Sequence, residues 1–182
     1  MLVKIIWGIR ALVYKLYFKK IGKFSYIGRP IFIHKGKNIS VGSRVRIYPG
    51  LRAELVNNTS FISIGNNVSV GQNCHFVSYG DNLIIGNGVT ISGNVFITNC
   101  DHDYKGCAEN VLDNELLKSE TKIGDGVFIG YGAVILAGTV LGEGCVVGAN
   151  SVVRGKFPPG SVIAGVPAKL IKNYKGVSNE QM

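Results

Sequence analysis

No acidic residue occurs before Glu54, although the 182-residue chain holds 11 Asp and Glu in all. Residues 1–53 carry 12 of the 20 Lys and Arg, so the net charge of +9 is an N-terminal property and points to a local anionic partner. The four cysteines form no C-x-x-C pair and have no His at zinc-finger spacing, which excludes a zinc ribbon or finger. They read as free thiols, Cys74, Cys100, Cys107 and Cys145. Histidine is scarce as well, with only His34, His75 and His102. A catalytic zinc site needs three converging ligands, two of them closely spaced, and these positions do not supply them, so no metal is expected. No apolar run reaches the ~20 residues of a membrane span, because Lys4 and Arg10 interrupt the first one. They also break the apolar core a signal peptide would need. Proline is low (5) and glycine high (25), and the glycines call for a structural reason. The length suits one domain, or one domain with an appendage.

In residues 1–20 the apolar positions Leu2, Ile5, Ile9, Leu12 and Leu16 share one helical stripe, with Lys4, Lys15 and Lys19 beside it. Two uses of this basic amphipathic helix stay open. It either lies on an anionic membrane face, with Trp7, Tyr14, Tyr17 and Phe18 as interfacial anchors, or packs against its own protein or a neighbouring subunit.

From Ile27 the period changes to six. Large apolar residues recur at Val41 and Ile47; at Ile64, Val70 and Phe76; at Ile85, Ile91 and Ile97; at Ile123, Ile129 and Ile135; and at Leu141, Val147 and Val153. Glycine follows eight of these 14 positions, where about two would be expected by chance. The fourth place after an anchor is mostly small or β-branched, as at Val45, Val68, Cys74, Val89, Ala133 and Ser151. Such a period fits neither a helix nor a long flat strand. It fits short strands joined by turns, three hexads closing a triangular coil that stacks on the next at about 4.8 Å. Two stretches depart from six, residues 53–63 and 103–122, and irregular loops on a rigid prism are where binding residues are expected.

These repeats, the Asp101-His102-Asp103 run after Thr98-Asn99, and the terminal VVGANSVVRGKFPPGSVIAGVPAKLIK together resemble the hexapeptide-repeat acyltransferases over roughly residues 27–172. Within that family the chain looks most like the sugar O-acetyltransferases of bacterial capsule and lipopolysaccharide synthesis, related to the maltose and galactoside acetyltransferases. The resemblance implies an all-β, left-handed parallel β-helix that assembles as a trimer. The expected organisation is a helix over residues 1–24, a solenoid over 25–167 with an inserted loop at 103–122, and a basic tail over 168–182. The implied activity is acetyl-CoA-dependent transfer to a sugar hydroxyl of a surface polysaccharide or its lipid-linked precursor. The enzyme would be cytoplasmic, peripheral at the inner membrane face.

An acetyl transfer from thioester to hydroxyl needs a base for the hydroxyl proton, and imidazole meets that need. His102 falls where the family's catalytic His falls, and counting hexads places it at the end of a coil, its backbone fixed by the prism. Asp101 or Asp103 would orient it. The family's acceptor-binding Asn aligns with Gln72, beside Asn73. The relatives have Pro where this chain has Asp103, so their acceptor contacts do not carry over. The pantetheine arm of acetyl-CoA would lie between subunits along Tyr131, Gly132 and Ala149. Arg154, Lys156, Lys169, Lys172 and Lys175, with no acid among them, would meet its phosphates. A Lys common in relatives aligns with Gly155. Two further readings stay open, N-acetylation of an amino sugar and a trimeric β-helix binding module without catalysis. The basic segment carries no motif that reads nucleic acid.

Overall fold

The hexads fold as short strands because each places a branched residue inward and gives the turn to a residue that tolerates the left-handed conformation. The computed structural model describes residues 2–105 and 110–174, without the side chains of Leu2 and Val111. Cys107 and Lys175 lie outside the described residues. Three parallel sheets make the faces of a triangular prism. On the second face Tyr26 pairs with Arg46, Arg46 with Ser69, Ser69 with Thr90, Thr90 with Phe128 and Phe128 with Val146, all in parallel register. Inside, Ile27, Ile47, Val70, Ile91, Ile129, Val147 and Ile163 form one continuous buried ladder. The small or β-branched positions Val45, Val68, Cys74, Val89, Ala133 and Ser151 are buried as expected. Burial pushes the Cys74 thiol up to about 11, which leaves it an unreactive core group.

The coil-to-coil pairings on this face advance by 20, 23, 21, 38, 18 and 16 residues, so the repeat is strict only once. Every surplus falls at the same corner, between the third face and the first: after Ile33, Ala53, Phe76 and Ile97. Four interruptions, two more than the sequence periodicity revealed, therefore collect on one edge of the prism.

Helix α1 (Leu2–Tyr14) covers the open end of the first coil. Its packed stripe is Trp7, Ala11 and Tyr14, continued by Phe18. Trp7 meets the rings of Tyr26 and Tyr48 at 5.8 and 5.6 Å, and Tyr14 stacks on Phe18 at 5.6 Å. Arg10 Nη1 donates to the Ile27 carbonyl (3.1 Å), an acceptor on the unpaired edge of the first coil. Thus, of the expected interfacial anchors, Phe18 is buried and Trp7 and Tyr14 are half-buried against the body, and Tyr17 alone stays exposed. The stripe of Ile5, Ile9, Leu12 and Leu16 faces away from the body and is exposed. No described helix is long and apolar enough to cross a membrane.

The solenoid starts earlier and the tail later than the sequence suggested. Lys20–Ile21 already pairs with the second coil, and Ala168–Asn173 folds back antiparallel on Ser161–Gly165, closing the other end. Both shifts have one cause, since an uncovered solenoid end exposes backbone groups and a ladder of apolar side chains.

On the outside of the third face, Arg52 bonds Glu54, and His75 Nε2 donates to Glu54 Oε1 (2.7 Å). His75 points outward, as its place after inward Cys74 requires, and its ring meets Phe96 edge-on at 5.1 Å. Partial burial pushes the Glu54 carboxyl up, but the hydrogen bonds from Arg52 and His75 outweigh it, so its pKa ends below the ordinary value. A depressed carboxyl contributes stability above its unfolded pKa and loses it as pH falls through the folded one. Glu54→Gln should therefore lower the melting temperature at neutral pH by about 1–3 °C, with the gap closing below about pH 4; thermal scans over pH check it.

Candidate active site

After Thr98 the chain leaves the prism. Cys100–His102 and Leu116–Lys118 form an antiparallel hairpin with His102 opposite Leu116. The excursion thus begins at Asn99 and not at residue 103, and His102 is held by the hairpin and not by the coil. The hexad count misplaces it because residues 97–102 span six positions without continuing the turn.

The hairpin is nevertheless clamped to the prism. Asn99 is buried; its Oδ1 accepts from the Tyr79 amide (2.7 Å), its Nδ2 donates to the Tyr79 carbonyl (3.3 Å), and its own carbonyl accepts from the Ser119 amide (2.8 Å). Thr121 Oγ1 donates to the Thr98 carbonyl (3.0 Å), and Lys118 Nζ to the Gly80 carbonyl (3.2 Å). Gly80 N in turn donates to Ser60 Oγ (3.1 Å), so the interruption one coil back supports the hairpin. Among the described residues no buried side-chain nitrogen or oxygen lacks a partner, so hydrogen bonds offset the desolvation of this polar clamp.

A cavity of about 460 Å³ opens beside the hairpin, lined by Asp101, His102, Asp103, Tyr104, Lys105, Leu117 and Arg154. His102 is exposed at it. Neither flanking carboxylate is bonded to the imidazole in the single chain. Asp101 Oδ2 accepts from Arg154 Nη2 (2.8 Å), tying the hairpin to the coil two turns on. Asp103 Oδ1 accepts from the Lys105 amide (3.0 Å), and its carbonyl from Asn114 Nδ2 (2.6 Å). The two acids shape the hairpin around His102.

Gln72, Asn73, Tyr131, Gly132 and Ala149 lie on a different edge, where the second face turns into the third. There Asn94 N donates to the Gln72 carbonyl (2.8 Å), Gly132 N to the Gly93 carbonyl (3.0 Å) and Asn150 N to the Tyr131 carbonyl (2.8 Å). Asn94 Nδ2 also bonds the Tyr131 hydroxyl, and a side chain on Gly93 would meet Gln72 at 3.0 Å and Tyr131 at 3.2 Å. The edge is a backbone ladder with a compact Gln72–Asn94–Tyr131 group upon it.

Comparison with known proteins bears on both edges. The repeat pattern described as bacterial transferase hexapeptide (six repeats) matches residues 120–155, and that of the hexapeptide repeat of succinyl-transferase matches residues 61–99. The putative lipopolysaccharide biosynthesis O-acetyl transferase WbbJ of Escherichia coli (strain K12) is 37% identical over 152 residues, 80% of this chain and 76% of WbbJ. The chain belongs to the hexapeptide-repeat acyltransferases. It spans about half the length of other curated relatives it matches, 49% and 48%. Among solved structures, a galactoside acetyltransferase in complex with coenzyme A superposes with a TM-score of 0.64 at 25% identity, over 91% of this chain and 70% of that one. AntD, an N-acyltransferase from Bacillus cereus, superposes at 0.75 with 23% identity over 90% and 87%, a likeness of fold.

In this hexapeptide-repeat acyltransferase the C-terminal cations do not share a face. Arg154 follows the last strand of the third face, Val152–Val153, and reaches the His102 cavity. Lys156 pairs with Val140 on the first face, while Lys169 and Lys172 pair with Ala164 and Val162 on the second. Sequence reasoning named His102, Asp101 and Asp103, which the structure brings to one cavity, and did not name Asn99, Leu117, Lys118 and Thr121, which line or hold it. A polar pair, Thr98-Asn99, directly after a buried anchor was the available signal, since such residues inside a prism corner must be hydrogen-bonded.

Proposed function

We propose that the chain is an acetyl-CoA-dependent O-acetyltransferase acting on a sugar hydroxyl of a surface polysaccharide or its lipid-linked precursor. The observation that carries this reading is His102, exposed on a clamped hairpin at a cavity of about 460 Å³ wide enough for a sugar ring. The imidazole takes the acceptor hydroxyl's proton as the oxygen attacks the thioester carbonyl, the thiolate of coenzyme A leaves, and the base returns the proton to it. A backbone N–H stabilises the oxyanion. The transfer is direct: no Ser or Cys is paired with His102 by motif, and among the described residues none is bonded to its ring. Asp101 and Asp103 set the hairpin's shape, Gln72 and Asn73 hold the acceptor, and Tyr131, Gly132 and Ala149 receive the pantetheine arm. Arg154, Lys156, Lys169 and Lys172 serve the phosphates; because they lie on different faces of one chain, the set that meets one coenzyme A is drawn from neighbouring copies.

His102 and the Gln72–Tyr131 ladder stand on different edges of one prism, so a site that uses both takes one edge from each of two copies. This supports the homotrimer. The enzyme acts in the cytoplasm, peripheral at the inner membrane face.

Mass spectrometry after incubation with acetyl-CoA and a panel of free and lipid-linked glycans tests the function. A mass gain of one acetyl group on a hydroxyl, labile to mild base, is expected. A base-stable acetyl on an amino sugar would assign N-acetylation instead, and coenzyme A binding with no product on any acceptor would favour the non-catalytic module.

A further inference from the structure

The N-terminal end of the prism carries features that acetyl transfer does not use. A capping element of a solenoid ordinarily turns a polar face to water. Helix α1 does the opposite: Ile5, Ile9 and Leu12 are exposed, and Leu16 just beyond it is 80% exposed. A contiguous apolar ridge of this kind, unlike apolar side chains exposed singly, marks an interaction surface.

A second feature lies at the corner between the first and second faces. Residues 24, 44, 67, 88, 126 and 144 stack there from coil to coil, all with positive φ (59, 57, 53, 65, 64 and 68°). Four of the six are Gly or Asn, the residues that tolerate this conformation. The two nearest the N-terminal end are Phe24 and Arg44. Phe24 is 84% exposed, so no packing offsets its backbone strain or its contact with water. Lys23, Phe24 and Arg44 line a shallow cavity of about 360 Å³ with Ser43, Asn66 and Asn67, a cationic hollow with an aromatic rim.

The occupant follows from charge. Residues 1–53 hold 12 Lys and Arg and no acid, and they build α1 and the first two coils. A second copy placed on this end would set these cations against each other. What fits is an extended anionic surface with an apolar interior, and α1, 13 residues long, can lie on such a surface but not cross it.

We propose that the N-terminal end of the prism docks end-on to an anionic lipid bilayer. The outer stripe of α1 and the Phe24 ring enter the boundary between headgroups and acyl chains, and Lys23 and Arg44 take lipid phosphates. This deepens the peripheral attachment in the proposed function, and it stands or falls independently of the chemistry at His102.

Flotation of the full chain with phosphatidylcholine vesicles, with and without a phosphatidylglycerol fraction, reads it directly. Wild type should float with the anionic vesicles at low salt, and its partition should fall roughly tenfold or more on neutral vesicles or at high salt. Ile9→Glu should lower partition roughly tenfold, since it puts a charge in the ridge. Phe24→Gly should lower it several-fold while keeping or raising thermal stability, because glycine suits the left-handed backbone. Absence of flotation by wild type, or equal flotation by wild type and both folded variants, overturns the proposal. So does a change of oligomeric mass on Ile9→Glu with no vesicle binding by wild type, which would assign the ridge to a second copy. Transfer to a free sugar, assayed on the same samples, separates the two readings: lost flotation with intact transfer refutes only the docking, and the reverse refutes only the chemistry.

Discussion

Replacing His102 by Ala should lower the rate of acetyl transfer by about 10²–10⁴ while leaving the affinity for coenzyme A unchanged. The separation of the two readouts follows from the geometry. In the proposed assembled site His102 of one copy faces the ladder around Tyr131 and Ala149 of another, but that ladder is held by its own backbone hydrogen bonds, none of which involves the His102 ring. Removing the imidazole takes away the base without touching that ladder. The hairpin should also survive, because its hold comes from Asn99, Thr121 and Lys118 and from the Asp101–Arg154 pair, none of which involves the His102 ring. Steady-state kinetics with a sugar acceptor, calorimetric titration of coenzyme A and a melting curve together check this. Turnover within a factor of about three of wild type would place the base elsewhere, and a loss of coenzyme A affinity equal to the loss of rate would make His102 a donor-site residue.

The fold was legible because a solenoid writes its geometry into the sequence at every turn. An anchor such as Ile91 must stack on Val70 and under Ile129, and only large apolar residues at a period of six can do that through several coils. The ends and the excursion were less legible for a shared physical reason. There the chain satisfies backbone edges and polar corners, and those demands can be met by many sequences. The helix shows it well. Its more regular apolar stripe, Ile5, Ile9, Leu12 and Leu16, is the one left exposed, while the core takes the mixed stripe Trp7, Ala11, Tyr14 and Phe18 because aromatic rings bury more surface per position. At the site, the residue type of His102 signalled base chemistry, but its position on a hairpin depended on hydrogen bonds from Asn99 to Tyr79 across an interruption one coil earlier. No local pattern encodes that pairing. The Asp101–Arg154 pair is the same case, two residues far apart in sequence that meet only once the coils stack.

Ile97→Ala should be the most damaging core substitution for the site, costing about 2–5 kcal/mol, a large part of an ordinary domain's stability. Ile97 is fully buried on the strand Phe96–Thr98, in register between Phe76 and Ile135, and it is the last inward anchor before the chain departs for the hairpin. Coils of a solenoid touch only their neighbours, so a cavity here is not shared out over the molecule. It weakens the coil whose Thr98 and Asn99 hold the hairpin base, and the midpoint of chemical unfolding should fall by the amount stated while kcat falls more than the coenzyme A affinity. Phe128→Ala supplies the contrast. Phe128 is also a large apolar side chain on a prism strand, but it points outward and is 43% exposed, so its truncation leaves no buried cavity and should cost less than about 1 kcal/mol. Equal losses from the two substitutions would mean that the inner ladder does not carry the stability of the prism. A loss at Ile97 with kcat unchanged would mean that the hairpin holds His102 in place without the coil beneath it.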